Sequence, residues 1–320
     1  MTTFFAALAA ILVSVAVPAW SADKYPSRPI RLIAPFPPGG GTDILSRLLG
    51  VPVGQALGQT IVVDNRPGAG GAVGAELTAL AEPDGYTLIM VSSSYTATAA
   101  YRKTPYDPVN GIQPISLIGT TGLVLAAHPA VPVKSVGELI AHARAHPGKL
   151  NYASVGPGSV THLTHELFKL ETKTNLVHVP YKGGGPALNA LVAGEVQITA
   201  ISLVPTLPHM RAGRLRALGI TTPARSILAP EVPTISETVP GFEVIHWYGI
   251  WGPRGLPRDI VARWNQEVGK VLLTDEMRAR TKAEGLDAGG GPPEALGDII
   301  KRDVEKWRRT VRDARITGEG

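Results

Sequence analysis

Pro35-Phe36-Pro37-Pro38-Gly39-Gly40-Gly41-Thr42-Asp43 is the stretch that decides how this chain folds. The run before it, residues 29–36 (PIRLIAPF), is apolar and short enough to be a buried strand. Beyond it Ile44, Leu45, Leu48 and Leu49 recur at helical spacing. The order is therefore strand, glycine turn, helix. The first four N–H groups of a helix have no internal partner, and the helix dipole is positive there. Glycines remove the Cβ atoms that would hold a guest away from the backbone, so a carboxylate or phosphate is the natural occupant. Gly50, Pro52 and Gly54 follow. A proline inside a helix costs about 3 kcal/mol, so the first helix is expected to stop or kink after Leu49.

The same design returns twice. Residues 152–162 (YASVGPGSVTH) and 180–186 (PYKGGGP) each place glycines between a short strand and a helix start. Thr42 or Asp43 fits a cap for the first helix and Ser159 for the second, while Pro186 suits the first position of the third. Working outward, strands are expected at 60–64, 86–91, 123–127, 151–154, 177–180, 196–202, 215–221 and 244–251. Helices are expected from about 68 to 81, at 136–145, through Leu163, Leu167 and Leu170, at 186–193, and near 260–272 and 293–312. Alternating strands and helices imply an α/β fold with parallel sheets, and no short repeat is present. The expected layout is two similar lobes. The chain leaves the first across 118–127 and returns across 244–252, which makes a two-stranded hinge. The segments are 22–121 (lobe one), 122–245 (lobe two) and 246–320 (lobe one again). Ligands of open α/β sheets lie beyond the carboxyl ends of the strands, so a guest between the lobes would meet all three turns.

The 320 residues carry 44% hydrophobic and 18% charged side chains, enough to bury a full core. Residues 1–21 hold no charged side chain. An apolar run over 4–17 and small residues up to Ser21 read as a secretory signal cleaved after Ser21. The competing reading is a membrane anchor, but the run ends at Pro18, short of the roughly 20 residues of a span. The absence of cysteine excludes disulfides, thiolate chemistry and a lipid-modified N-terminal cysteine. The net charge of +5 is scattered, unlike a nucleic-acid stripe.

Motifs for catalysis are missing. Ser154 comes nearest to a G-x-S-x-G elbow, but Tyr152 stands where the first glycine is needed. Gly41 is followed by Thr42 rather than the lysine of a phosphate loop, and Ile44 occupies the last glycine position of a dinucleotide fingerprint. The run His162-Leu163-Thr164-His165-Glu166 matches no zinc motif and reads as a capped helix with one exposed histidine. No metal, cofactor or catalytic residue is expected. The alternative is a secreted hydrolase or transferase using the glycine turns as an oxyanion hole.

Tyr25-Pro26-Ser27-Arg28-Pro29-Ile30, 35–43 (PFPPGGGTD), 65–71 (NRPGAGG), 83–88 (PDGYTL), 152–162, 179–187 (VPYKGGGPA), 212–218 (AGRLRAL) and Trp247-Tyr248-Gly249 together resemble the Bug, or Bordetella uptake gene, family. Its members are periplasmic receptors of tripartite tricarboxylate transporters. The resemblance implies a type II periplasmic-binding fold, two Rossmann-like lobes joined by two crossing strands. It also implies a small carboxylate ligand, whether dicarboxylate, tricarboxylate or aromatic acid, and transporter subunits as partners of a monomeric periplasmic protein. Carried onto this sequence, the ligand-binding candidates are Pro38, Gly39, Gly40, Gly41, Thr42 and Asp43 in lobe one. Those in lobe two are Ser154, Gly158, Ser159 and His162, with Tyr181, Lys182 and Gly183 in the third turn. Ser93, Ser94, Ser202 and Trp247 complete the set. Residues 198–205 (ITAISLVP) offer the hydroxyls of Thr199 and Ser202 where amino-acid-binding relatives carry an Asp. An amino-acid ligand, whose ammonium needs a counter-charge, is therefore disfavoured.

Overall fold

The computed structural model describes residues 25–316. The N-terminal apolar run and the expected cleavage after Ser21 lie outside them. Lobe one begins with β1 (Ile30–Ala34), α1 (Gly41–Leu57), β2 (Ile61–Asn65), α2 (Ala72–Ala79), β3 (Thr87–Ser92) and α3 (Ser94–Tyr101). β1 lies between β2 and β3, parallel to both. The chain then enters β4 (Ile112–Ala127), a single strand of 16 residues.

Lobe two contains α4 (Val136–Ala145), β5 (Asn151–Ser154), α5 (Val160–Thr172), β6 (Val177–Pro180), α6 (Gly184–Ala193), β7 (Ile198–Ser202), α7 (Leu203–Arg211) and β8 (Arg216–Ile220). The return is β9 (Ile245–Pro253), followed by α8 (Arg258–Leu273), α9 (Asp275–Ala283), β10 (Asp287–Ala288) and α10 (Pro293–Asp313).

β4 belongs to both sheets. From Ile112 to Gly122 it pairs with β9, which runs antiparallel between it and β3. From Leu123 to Ala127 it lies between β7 and β8. β5 sits parallel between β7 and β6. The two crossing strands thus meet side by side at Gly122 and Ile245. α10 spans the junction: Leu296, Ile300 and Val304 pack with Trp247 and Trp251, whereas Trp307 packs among lobe-two residues such as Leu163 and Phe168.

Several local expectations are corrected. α1 does not stop after Leu49 but runs through Pro52 to Leu57. Leu45, Leu49, Val53 and Leu57, spaced by four, are all buried in one cluster, and their burial outweighs the hydrogen bond that Pro52 cannot donate. A Cβ on Gly54 would lie 2.7 Å from the Gln59 carbonyl, so the glycine lets the helix lie against its own exit loop. The helix ends at Gly58 (φ 78°), with the Gly58 and Gln59 N–H groups donating to Gln55 and Gly54. α6 begins at Gly184, so Pro186 is its third residue and not its first. α3, α7, α9 and β10 were not foreseen.

Candidate functional site

The first turn is built around Asp43. Its carboxylate, buried in the third position of α1, accepts the Gly39 N–H at 2.9 Å, the Arg47 guanidinium at 2.9 Å and the Asn65 amide at 3.0 Å. Burial pushes this carboxyl up, but the bonds from Arg47, Gly39 and Asn65 outweigh it and hold it below the usual carboxylate range. Gly39 has φ 81°, the left-handed region that favours glycine. Anchored this way, the loop leaves the N–H groups of Gly41, Thr42 and Asp43 without an acceptor among the described residues. Thr42 Oγ1 is buried and likewise has no partner.

The third turn faces the first. A Cβ on Gly183 would lie 3.7 Å from the Pro37 ring. α6 opens with Gly184 and Gly185, whose N–H groups also lack an acceptor among the described residues, and Pro186 has none to offer. Between the turns lies a cavity of about 160 Å³, the class that holds a benzene-sized guest. Pro38, Gly39, Gly40, Gly41, Thr42, Ser94, Lys182, Gly183 and Ser202 all line it.

The second turn differs from expectation because its polar groups are turned on each other. The Gly158 N–H donates to His162 Nδ1 at 3.1 Å, the Gly156 N–H to Ser154 Oγ at 3.1 Å and the Val155 N–H to Thr161 Oγ1 at 2.9 Å. Ser159 caps α5 through the His162 N–H, as expected, and the Val160 N–H is taken by Ser94 of lobe one at 3.3 Å. Of this helix tip, Val160 and Thr161 reach the cavity, together with Val155 from the turn before it. Ser154, Gly158, Ser159 and His162 lie behind these and do not line it. Asp43, Ser93, Tyr181 and Trp247 do not line it either. Trp247 is fully buried, with its indole N–H on Asp303 at 2.7 Å.

The His162–Glu166 run is also corrected, since both histidines are buried. Tyr152 stacks on His165 at 4.2 Å and His162 stacks on His178 at 4.1 Å. Burial pushes His162 and His165 down to about 4 and His178 to about 3. The Tyr152 hydroxyl donates to Glu166 at 2.6 Å, and Lys169 closes the pair.

Sequence reasoning missed two residues of the return strand. His246 lines the cavity, and its Nδ1 lies 2.6 Å from Ser93 Oγ. Its Nε2 has no partner among the described residues, and burial lowers it to about 4, so a neutral ring faces the cleft at pH 7. Tyr248 lines the cavity as well; burial pushes its hydroxyl up to about 12, partly offset by Ser202. A lone histidine or tyrosine in a strand carries no signal of its direction, and only the pairing of β9 with β4 brings both under the cleft.

Two Ser–His pairs bear on the hydrolase alternative, Ser93–His246 and Ser154–His178, each at 2.6 Å. Neither serine lines the cavity, and among the described residues neither histidine has a carboxylate on its other ring nitrogen. A nucleophile has to reach the substrate, so neither pair has the geometry of one. Among the described residues no group of three or more His, Asp or Glu side chains could hold a metal.

Residues 45–316 match the tripartite tricarboxylate transporter family receptor. Protein BugT of Bordetella pertussis is 36% identical over 297 residues, covering 92% of this chain and 91% of that protein. The structure of R. palustris Rpa4515 with adipate is 35% identical with a TM-score of 0.85, over 92% of this chain and 99% of that one. MatC from Rhodopseudomonas palustris with bound malate is 33% identical with a TM-score of 0.84, over 90% of this chain and 100% of that one. The periplasmic-binding fold and the Bug resemblance both stand on these likenesses.

Proposed function

Because the chain belongs to the tripartite tricarboxylate transporter receptor family, we propose that it is a periplasmic receptor that captures a small carboxylate between its lobes and delivers it to a transporter of that type. The observation that carries this reading is the pair of facing helix tips. Gly41 and Thr42 on α1 and Gly184 and Gly185 on α6 line one cavity with N–H groups that have no acceptor among the described residues. The carboxylate accepts from both tips, the Thr42 hydroxyl and His246 add side-chain donors, and Lys182 at the exposed rim supplies the positive charge. Charge-assisted bonds contribute about 1.5–3 kcal/mol each, so a handful reaches the roughly 8 kcal/mol of micromolar affinity.

In this reading Asp43, Ser93, Ser154, Gly158, Ser159, His162, Tyr181 and Trp247 hold the walls rather than the ligand. Ser154 and Ser159 shape the second turn, and Ser93 fixes the His246 ring. Lobes 22–121 with 246–320, and 122–245, close about the β4–β9 crossing. Export by the segment 1–21, cleavage after Ser21 and a monomeric state belong to the same proposal. The ligand leaves unaltered, since the role is capture rather than chemistry.

Two similar proteins carry adipate and malate, so short aliphatic acids lead the test. Purified receptor is melted with a panel of carboxylates, and bound ligand is recovered for mass spectrometry. A bound acid raises the melting temperature with concentration and returns unchanged. A panel in which no acid moves it, or an acid that returns converted, would contradict the reading.

A further inference from the structure

The cleft has a second chamber. Beyond the cavity between the glycine turns lies a space of about 350 Å³, and the two share Gly39, Gly40, Gly41, Gly184, Gly185, Ile201, Ser202 and Tyr248. Tyr248 and Ser202 thus stand where the front chamber opens into the rear. The rear walls are hydrocarbon: Leu188, Leu203 and Val204 from lobe two, with Ile44, Leu45 and Leu286 from lobe one. The lobes meet at its edge, where a Cβ on Gly285 would lie 2.8 Å from Val204.

The charges of the two chambers are opposite. Lys182 borders the front, beside the neutral ring of His246. No Lys or Arg lines the rear, and its charged side chain is Glu284. This carboxyl has no hydrogen-bond or ion-pair partner among the described residues, and burial alone raises its pKa. A second carboxylate placed there would be desolvated beside an acid with no cation to balance either, an arrangement that proteins avoid. An apolar arm would meet only surfaces that gain from leaving water.

We propose that the ligand's carboxylate occupies the front chamber and an uncharged hydrocarbon or aromatic arm occupies the rear, so that this receptor prefers tailed monocarboxylates to short dicarboxylates and tricarboxylates. The inference rests on the receptor reading above and names the ligand class within it. It separates this chain from the similar protein that carries adipate. Glu284 acts as the selector, and Tyr248 and Ser202 form the passage through which the arm enters.

The test compares acids of matched length by calorimetry on the mature protein. Propionate, butyrate, pentanoate and hexanoate should tighten about fourfold with each methylene that enters the rear chamber. Hexanoate should bind at least tenfold tighter than adipate, which differs by its second carboxylate. Glu284→Gln should tighten adipate at least fivefold and leave hexanoate unchanged. Val204→Phe, which fills the chamber, should weaken hexanoate at least tenfold and leave propionate unchanged, with the melting temperature of each variant as folding control. Adipate binding as tightly as hexanoate, or an adipate-to-hexanoate ratio untouched by Glu284→Gln, would overturn the inference while leaving the receptor reading intact. Failure of every acid to bind the wild type would overturn the receptor reading, and this inference with it.

Discussion

The Tyr248 hydroxyl sits so close over Gly41 that a Cβ on that glycine would lie 2.2 Å from it. The first residue of α1 is therefore glycine because a tyrosine from the hinge strand occupies the side-chain position. Tyr248 is 7% exposed and cannot swing aside freely. Gly41→Ala should cost about 1–3 kcal/mol by overpacking and weaken ligand binding at least tenfold. Tyr248→Phe in the same chain should recover part of the stability. Denaturant melts of the two single variants and the double variant measure this coupling, and strict additivity would contradict the contact.

Asp43 organises the first turn without touching the cavity. Asp43→Ala leaves the Gly39 N–H and the Asn65 amide without their shared acceptor. A loss of about 1–3 kcal/mol in a urea melt is expected, together with weaker carboxylate binding because the α1 tip is no longer held. Asp43→Asn keeps an acceptor for Gly39 and should fall between. Unchanged affinity in Asp43→Ala would contradict a scaffolding role.

The buried histidines make stability depend on acid. His162, His165 and His246 sit at about 4 and His178 at about 3 in the folded chain, against the ordinary 6.5. Below pH 6.5 the unfolded chain takes up protons on these rings, while the folded chain takes them up only near pH 4 and below. Stability is then full above pH 6.5 and falls as pH drops toward 4. The melting temperature should drop by roughly 10 °C or more across that window. A flat profile from pH 6.5 to 4 would contradict the buried, neutral stack.

Pro52 weakens α1 from inside. The helix continues around it because the Leu45, Leu49, Val53 and Leu57 face is buried. Pro52→Ala restores a backbone donor and should stabilise the protein by about 1–3 kcal/mol without altering ligand affinity, read as a shift of the urea midpoint. A destabilised variant would mean that the proline is needed for the bend of the helix.

Glycine turns were legible because a run such as Gly39-Gly40-Gly41 between an apolar strand and a helical spacing has few other meanings. The strand at Asn151–Ser154 and the helix at Val136–Ala145 follow from local pattern in the same way. What could not be read depends on partners far along the chain. α7 carries Pro205 and Pro208 and looks like a loop until β7 places it. α3, with Thr96 and Thr98 in a short polar run, is held by packing on α10. The second turn seemed to offer its N–H groups, yet they are used by Ser154, Thr161 and His162 nearby and by Ser94 from the other lobe. His246 entered the site only through the register that sets it opposite Thr121.

Amide resonances report the central claim most directly, through a ¹⁵N–¹H titration of the purified protein with the carboxylate that most raises its melting temperature. The N–H signals of Gly41, Thr42, Gly184 and Gly185 should all shift downfield and saturate at one common affinity, as donors do when they gain an anionic acceptor. Signals from these four that stay in place while other residues titrate would show that the carboxylate is held elsewhere.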